Sequence, residues 1–322
     1  MKFKVDGTRR VALCASLLAL ALLGSCGGGG QVTRYVPARV LAFGDETSVL
    51  EDPSGSANGR KYGVNALATD GVTLDCATSP IWVQAVATGF GLVFPECNHG
   101  TSVVAAPASR IYAAPAARVA DVATQIDRHL LASSFSATDL ALVLAGANDV
   151  LALYAQYPAV TENALVVQAE AAGTLLGEQV NRLADAGAKV VVSTVFDLGL
   201  SPYGLAQEAL VPGRSALLTR LSARLNAKLR VTVVNDGRRI GLMFTDETLQ
   251  SAYKFASSAG FTNVTAAVCD PTLASVKLCT TATLVSGGSA STWLWADATH
   301  LSAGGQALVG TIGRSRAVNN PF

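Results

Sequence analysis

The stretch Ala38-Arg-Val-Leu-Ala-Phe-Gly-Asp-Glu-Thr-Ser48 decides how the chain is read. Val40 to Phe43 is an apolar run too short for a helix. Gly44 takes backbone angles that other residues resist, so a buried strand is expected to stop and turn there. Asp45 and Thr47 offer cap side chains for a helix that starts just beyond. A helix start carries free N–H groups and a positive dipole end, so a reactive group placed after Asp45 would meet donors able to stabilise an oxyanion.

Two other stretches have the same form. Asp139-Leu-Ala-Leu-Val-Leu-Ala-Gly-Ala-Asn-Asp149 is an apolar strand running into Gly146, Asn148 and Asp149, with an amide able to donate. Near the C-terminus, Asp297-Ala-Thr-His300 puts a carboxylate three residues before an imidazole. That spacing lets the carboxylate orient the ring and fix its tautomer.

In this combination the chain resembles the SGNH/GDSL hydrolases, serine esterases and lipases on a flavodoxin-like α/β/α fold. The family's Gly-Asp-Ser-Leu block is matched by Gly44 and Asp45, its Gly-x-Asn-Asp block by Gly146, Asn148 and Asp149, and its Asp-x-x-His block by Asp297 and His300. The block that supplies a lone oxyanion-hole glycine has Gly100, in Cys97-Asn-His-Gly, as its candidate. The resemblance implies His300 as base, Asp297 as its partner, and Asn148 with the Gly100 N–H as oxyanion donors. It also implies an ester hydrolase acting on a small acyl ester, an acylated glycan or a lipid. The family's serine, however, is replaced by Glu46.

Three readings of that replacement stay open. Ser48 is the right chemistry, but two residues along a helix turn a side chain to nearly the opposite face unless the turn is rebuilt. Glu46 is itself a possible nucleophile or base, although a second carboxylate beside His300 would favour the charged imidazolium. The third reading is a catalytically inactive binding or scaffold lipoprotein that keeps the fold.

The first residues set the compartment. Lys2, Lys4, Arg9 and Arg10 precede an apolar run from Val11 to Leu23 that is shorter than the ~20 residues a membrane span needs. Leu23-Gly-Ser-Cys26 resembles the lipobox of bacterial lipoproteins, which makes residues 1–26 an export signal and Cys26 a lipidation site. The glycine run that follows reads as part of a tether over 27–36, and 37–322 as one hydrolase-like domain without internal repeats. The expected location is the bacterial cell envelope, through a lipid anchor.

The chain carries a formal charge of +1, of which the leader (those four cations against Asp6) accounts for +3, leaving −2 for the rest. That balance, with no basic patch carrying interleaved aromatics, argues against nucleic acid as a partner. Beyond Cys14 and Cys26 an even set remains, Cys76, Cys97, Cys269 and Cys279, which export would oxidise most simply as the local pairs 76–97 and 269–279. Cys-x-x-Cys spacing is lacking, so no metal or other cofactor is expected.

Periodicity supplies the remaining elements. Helices are predicted over 81–89, 118–131, 162–186, 215–231 and 245–257, and strands over 189–195 and 240–244. Residues 52–65 read as a loop over the site, and 258–279 as loop. Arg220, Arg224, Lys228 and Arg230 read as a solvated helix face, and His99 and His129 as a polar loop residue and a surface residue. Strands alternating with helices of 12 or more residues predict a mostly parallel sheet covered on both faces, with the motifs at C-terminal strand ends.

Overall fold

The computed structural model describes residues 35–100 and 103–319. The export signal, Cys26 and most of the expected tether lie outside the described residues.

Five strands form one parallel sheet: β1 (Arg39–Gly44), β4 (Arg110–Ile111), β5 (Asp139–Leu144), β6 (Lys189–Ser193) and β7 (Ile240–Met243). Their spatial order is β4-β1-β5-β6-β7. Renumbered within this sheet, that is 2-1-3-4-5, the flavodoxin-like doubly wound order. The chain reverses its direction of winding between β1 and β5, and ligands of such sheets bind beyond the strand ends at that point.

The strands are apolar along their length because both faces are covered. On one face Leu41, Phe43, Ala141, Val143, Val190 and Val192 pack against α2 (Val119–Ala132), α4 (Glu162–Asp185) and α6 (Arg214–Thr232). The other face is covered by α1 (Trp82–Thr88) and α8 (Ala303–Asn319), which pack on each other. Gly313 makes room there for Val86, Trp82 and Met243. Fully burying a side chain such as Phe43 contributes roughly 1.5–3 kcal/mol.

The predicted helices and strands form within a few residues of their expected bounds, and three places differ. Residues 52–65 are not wholly loop, since β2 (Leu50–Glu51) pairs antiparallel with β3 (Arg60–Lys61). Lys61 is fully buried there, its ammonium held by the carbonyls of Thr78 and Ser79. The stretch read as loop to Cys279 contains β8 (Asn263–Ala267), which pairs with β9 (Trp293–Trp295) apart from the main sheet. The Asp297 loop therefore follows a strand of this small pair, not a main-sheet strand.

His129 is buried rather than on the surface, its Nδ1 2.9 Å from Tyr112 Oη and its ring against Phe135. The α6 cations lie on a solvated face, as expected, and form surface ion pairs there. Arg220 meets Glu162, Arg224 meets Glu170, and Arg230 meets Asp246 of α7 (Thr245–Lys254). Two further helices, α3 (Ala147–Tyr154) and α5 (Pro202–Leu210), complete the described domain.

Both expected disulfides are present, Cys76–Cys97 and Cys269–Cys279. Closing loops of this size contributes roughly 3 kcal/mol each in the chain-entropy model.

Gly44 leaves no room for a side chain. Its φ is +125°, and a Cβ there would lie 1.7 Å from the Leu144 carbonyl oxygen. Gly44→Ala is expected to destabilise the fold by at least about 3 kcal/mol in urea unfolding, from backbone strain and a clash that no side-chain rotation relieves.

Candidate active site

The site forms where β1 and β5 end side by side. Beyond Gly44 the chain makes one turn of 3-10 helix, Glu46–Ser48, capped by Asp45, whose Oδ1 accepts from Thr47 N at 3.0 Å. Beyond β5, Gly146 turns with φ +123° and α3 starts, placing Asn148 in its first turn. Loop 297–300 then enters ahead of α8.

These segments converge on the Glu46 carboxylate. Its Oε2 accepts from Asn148 Nδ2 at 3.0 Å and from Ala116 N at 2.9 Å. Its Oε1 lies 3.4 Å from His300 Nε2. Asn148 spends its second amide hydrogen on Ala117 O at 3.0 Å, which fixes the direction of the first. On the far side of the imidazole, Nδ1 donates to Asp297 Oδ1 and Oδ2 at 2.8 and 2.9 Å. Asp297 Oδ1 also accepts from His300 N at 2.7 Å and Thr299 N at 2.9 Å, so the loop that carries the ring holds the carboxylate that orients it.

The electrostatics follow from this enclosure. Burial alone would lower the His300 pKa, but hydrogen bonds to Asp297 and Glu46, reinforced by their charges, raise it to about 10. Burial would raise the Glu46 pKa, and His300, the local backbone and Asn148 outweigh it and hold the carboxyl below the usual range. Asp297 is held low in the same way, with His300 outweighing burial. At neutral pH the centre is thus an imidazolium between two carboxylates. Asp45 pays for the arrangement: burial first, and the Glu46 charge second, push it up to about 7, and its Oδ2 has no partner among the described residues.

The sequence candidates divide. Glu46, Asn148, Asp297 and His300 are brought together. Ser48 is placed elsewhere, with no exposed surface, its Oγ accepting from the Trp82 indole at 3.0 Å. Gly100 is exposed beside the undescribed residues 101 and 102, and it is not the backbone donor seen on Glu46. The backbone donor is Ala116 instead, at φ +58° in a turn closed by Ala117 N to Ala114 O. Pro115 precedes it, and proline followed by a residue of positive φ is the type II turn pattern, in which glycine is usual and alanine gives no signal to a reader of sequence. Asp149 is structural, its Oδ2 accepting from Val119 N at the start of α2.

Tyr62 borders the centre, its ring 6.1 Å from that of His300 and its hydroxyl donating to Glu51 at 2.7 Å. Glu51 is ion-paired with Lys277. Cys76, Cys97 and His99 bring potential metal-ligand atoms close together, but both thiols are spent in the disulfide.

No family model and no curated protein matches the chain. Among solved structures it is similar to a lipase from a goat rumen metagenome, with 11% identity over 88% of this chain and 99% of that one and a TM-score of 0.49. It is similar also to an acetylxylan esterase from Geobacillus stearothermophilus (12% identity, 89% and 96% covered, TM-score 0.45). A member of the lipolytic G-D-S-L family from Veillonella parvula shows 11% identity, 85% and 94% coverage and a TM-score of 0.41. At such identities and scores these likenesses carry no chemistry to this chain, which has to be read from its own site.

The charge pattern fixes the sign of a pH effect. A histidine whose folded pKa is raised contributes stability that is complete below its unfolded value and is lost as pH rises through the folded one. The His300 contribution, read in urea unfolding as the difference between the natural chain and His300→Gln, should therefore fall from about pH 6.5 towards about pH 10, the value His300 reaches in the fold, whereas buried Lys61, pushed down to about 8, works in the opposite direction above that pH. In Glu46→Gln, which removes one of the two carboxylates, that decline should be complete at a lower pH.

Proposed function

We propose that this chain carries an ester-hydrolase site disarmed at its nucleophile, and that it acts as a binding protein for an ester or acyl group. The observation that carries this reading is the double engagement of Glu46. One carboxylate oxygen takes the two donors that would hold the oxyanion of a tetrahedral intermediate, Asn148 Nδ2 and Ala116 N. The other faces the imidazole nitrogen that would accept the nucleophile's proton. The carboxylate stands where a product carboxylate would sit after ester cleavage.

Such a centre lacks the parts of acyl transfer. A general base must be deprotonated at working pH, and His300 is held charged up to about pH 10. Ser48 is bonded to Trp82 on the interior side. Glu46 as nucleophile would have to give up an ion pair and two donated hydrogen bonds before attacking a carbonyl. The orienting half of the machinery is nonetheless complete, since Asp297 fixes the ring and Asn148 is aimed.

The natural chain is expected to be silent towards p-nitrophenyl acetate and fluorophosphonate probes. Glu46→Ser removes the carboxylate, frees both donors and returns His300 towards its ordinary pKa. The new hydroxyl can then attack the carbonyl while His300 takes its proton and Asn148 and Ala116 hold the oxyanion. Hydrolysis at least about 100-fold above the natural chain, with labelling confined to position 46, is the expected outcome. Labelling of the natural chain that disappears in Ser48→Ala would reject the reading.

We propose in addition that the protein is anchored in the bacterial envelope through Cys26, a reading supported by the sequence Leu23-Gly-Ser-Cys26. Intact mass of detergent-extracted protein from a Gram-negative expression host should show cleavage before Cys26 and an added diacylglyceryl group. Mature protein recovered without lipid, starting at another residue, would contradict it.

A further inference from the structure

The end of the domain opposite the Glu46 centre has a composition of its own. There the parallel strands begin, α2 and α4 finish, and Val36 leads the chain into β1. Side chains tie these segments into one face. Arg39 donates to Ser134 O at 2.8 Å just beyond α2, Arg182 of α4 pairs with Asp127 of α2, and Asn181 of α4 accepts from Val234 N at 2.9 Å ahead of β7.

Its charge is lopsided. The carboxylates Asp127, Asp139, Asp185 and Asp236 are each held by an arginine, Arg182, Arg39 or Arg239. Arg110, Arg128 and Arg238 come in excess of these pairs, all three exposed, and Lys189 joins them at the start of β6. The described residues as a whole have the opposite balance, with 19 lysines and arginines against 22 carboxylates.

Large apolar side chains stand in solvent on the same face. Leu131, next to last in α2, is 89% exposed, and Leu130, Val36 and Val234 are exposed as well. Aliphatic carbon among surplus cations fits the interface of an anionic bilayer, where carbon reaches the acyl boundary and the cations meet lipid phosphates. The covalent path of the chain favours a bilayer over a protein partner. Cys26 precedes Val36 by ten residues, which span at most about 35 Å fully extended, so a lipid on Cys26 keeps this end of the domain near the membrane.

We propose that this face docks on a bilayer containing anionic phospholipid, so that the Glu46 centre, at the other ends of the same strands, faces away from the membrane. The inference rests on the reading of Cys26 as a lipid anchor, and goes beyond it by naming the surface that meets the lipid and the direction in which the site opens.

The test is hydrogen exchange, read by mass spectrometry, on the natural chain in vesicles of phosphatidylcholine alone and of phosphatidylcholine mixed with phosphatidylglycerol. The anchor is the same in both, so only headgroup charge differs. Residues 133–138 and 233–238 should exchange at least about threefold more slowly on the anionic vesicles, and residues 297–300 should not change. Raising NaCl to about 0.5 M should abolish the difference. Arg128→Glu combined with Arg238→Glu should abolish it too, with circular dichroism melts to check the fold and the glutamine pair, Arg128→Gln with Arg238→Gln, to replace a variant that does not fold. Equal exchange on the two vesicles, slowing at 297–300, or protection that survives in the folded variant would overturn the proposal. Intact mass reads the anchor separately. A chain without lipid that still shows the difference when added to the vesicles keeps the face and removes the anchor, and a lipidated chain without the difference does the reverse.

Discussion

Close approach of β1 to β5 at their C-terminal ends is the constraint on which the rest of the site depends. Gly44 lies against Leu144 with no room for a side chain, and Asp45 N continues the ladder to Leu144 O at 3.0 Å. Gln125 of α2 brackets the same residue, accepting from Gly44 N at 2.7 Å and donating to Gly44 O at 2.9 Å. With both strand ends held, Glu46 and Asn148 have to emerge side by side at the point where the strand order reverses. A looser crossing would let the two turns drift apart and break the hydrogen bond between Asn148 and Glu46.

What emerges at that point is a compact charge arrangement. An imidazolium between two carboxylates is stable because each carboxylate has two further donors besides the ring: Asn148 and Ala116 on one side, Thr299 and His300 backbone N–H on the other. Partnered buried charges of this kind are costly to disturb, since removing one leaves the others unpaired in a low-dielectric setting. The strain shows at Asp45, fully buried next to Glu46 and pushed towards its neutral form. A serine at position 46 would remove the charge that faces Asp45 as well as the one that faces His300, leaving in place the burial of Asp45 and the hydrogen bond from His300 to Asp297.

Most of the sheet and of the centre was legible in the sequence for identifiable reasons. Uninterrupted apolar runs such as Leu140 to Leu144 reveal buried parallel strands, and Asp297 and His300 lie close enough in sequence to meet through local geometry alone. Three features were not legible. Ala116 donates through its backbone, so its side chain carries no mark of the role, and the positive φ that aims it would be expected of glycine. That Ser48 turns away from the centre follows from helix geometry, but its partner Trp82, 34 residues away, is one that no local pattern announces. The short strands β2, β3, β8 and β9 were hidden because two to five residues are too few to show a period.

The charge state of the centre rests on the protonation of one ring, which ¹⁵N NMR of selectively labelled histidine reports directly. At pH 7.5 both ring nitrogens of His300 should have the shifts of protonated, hydrogen-bonded imidazolium, unchanged until the pH approaches about 10, and Glu46→Gln should move the titration down by about one unit or more. A neutral His300 ring at pH 7.5 in the natural chain, titrating near the ordinary histidine value, would show that Glu46 does not hold it charged and would contradict the account.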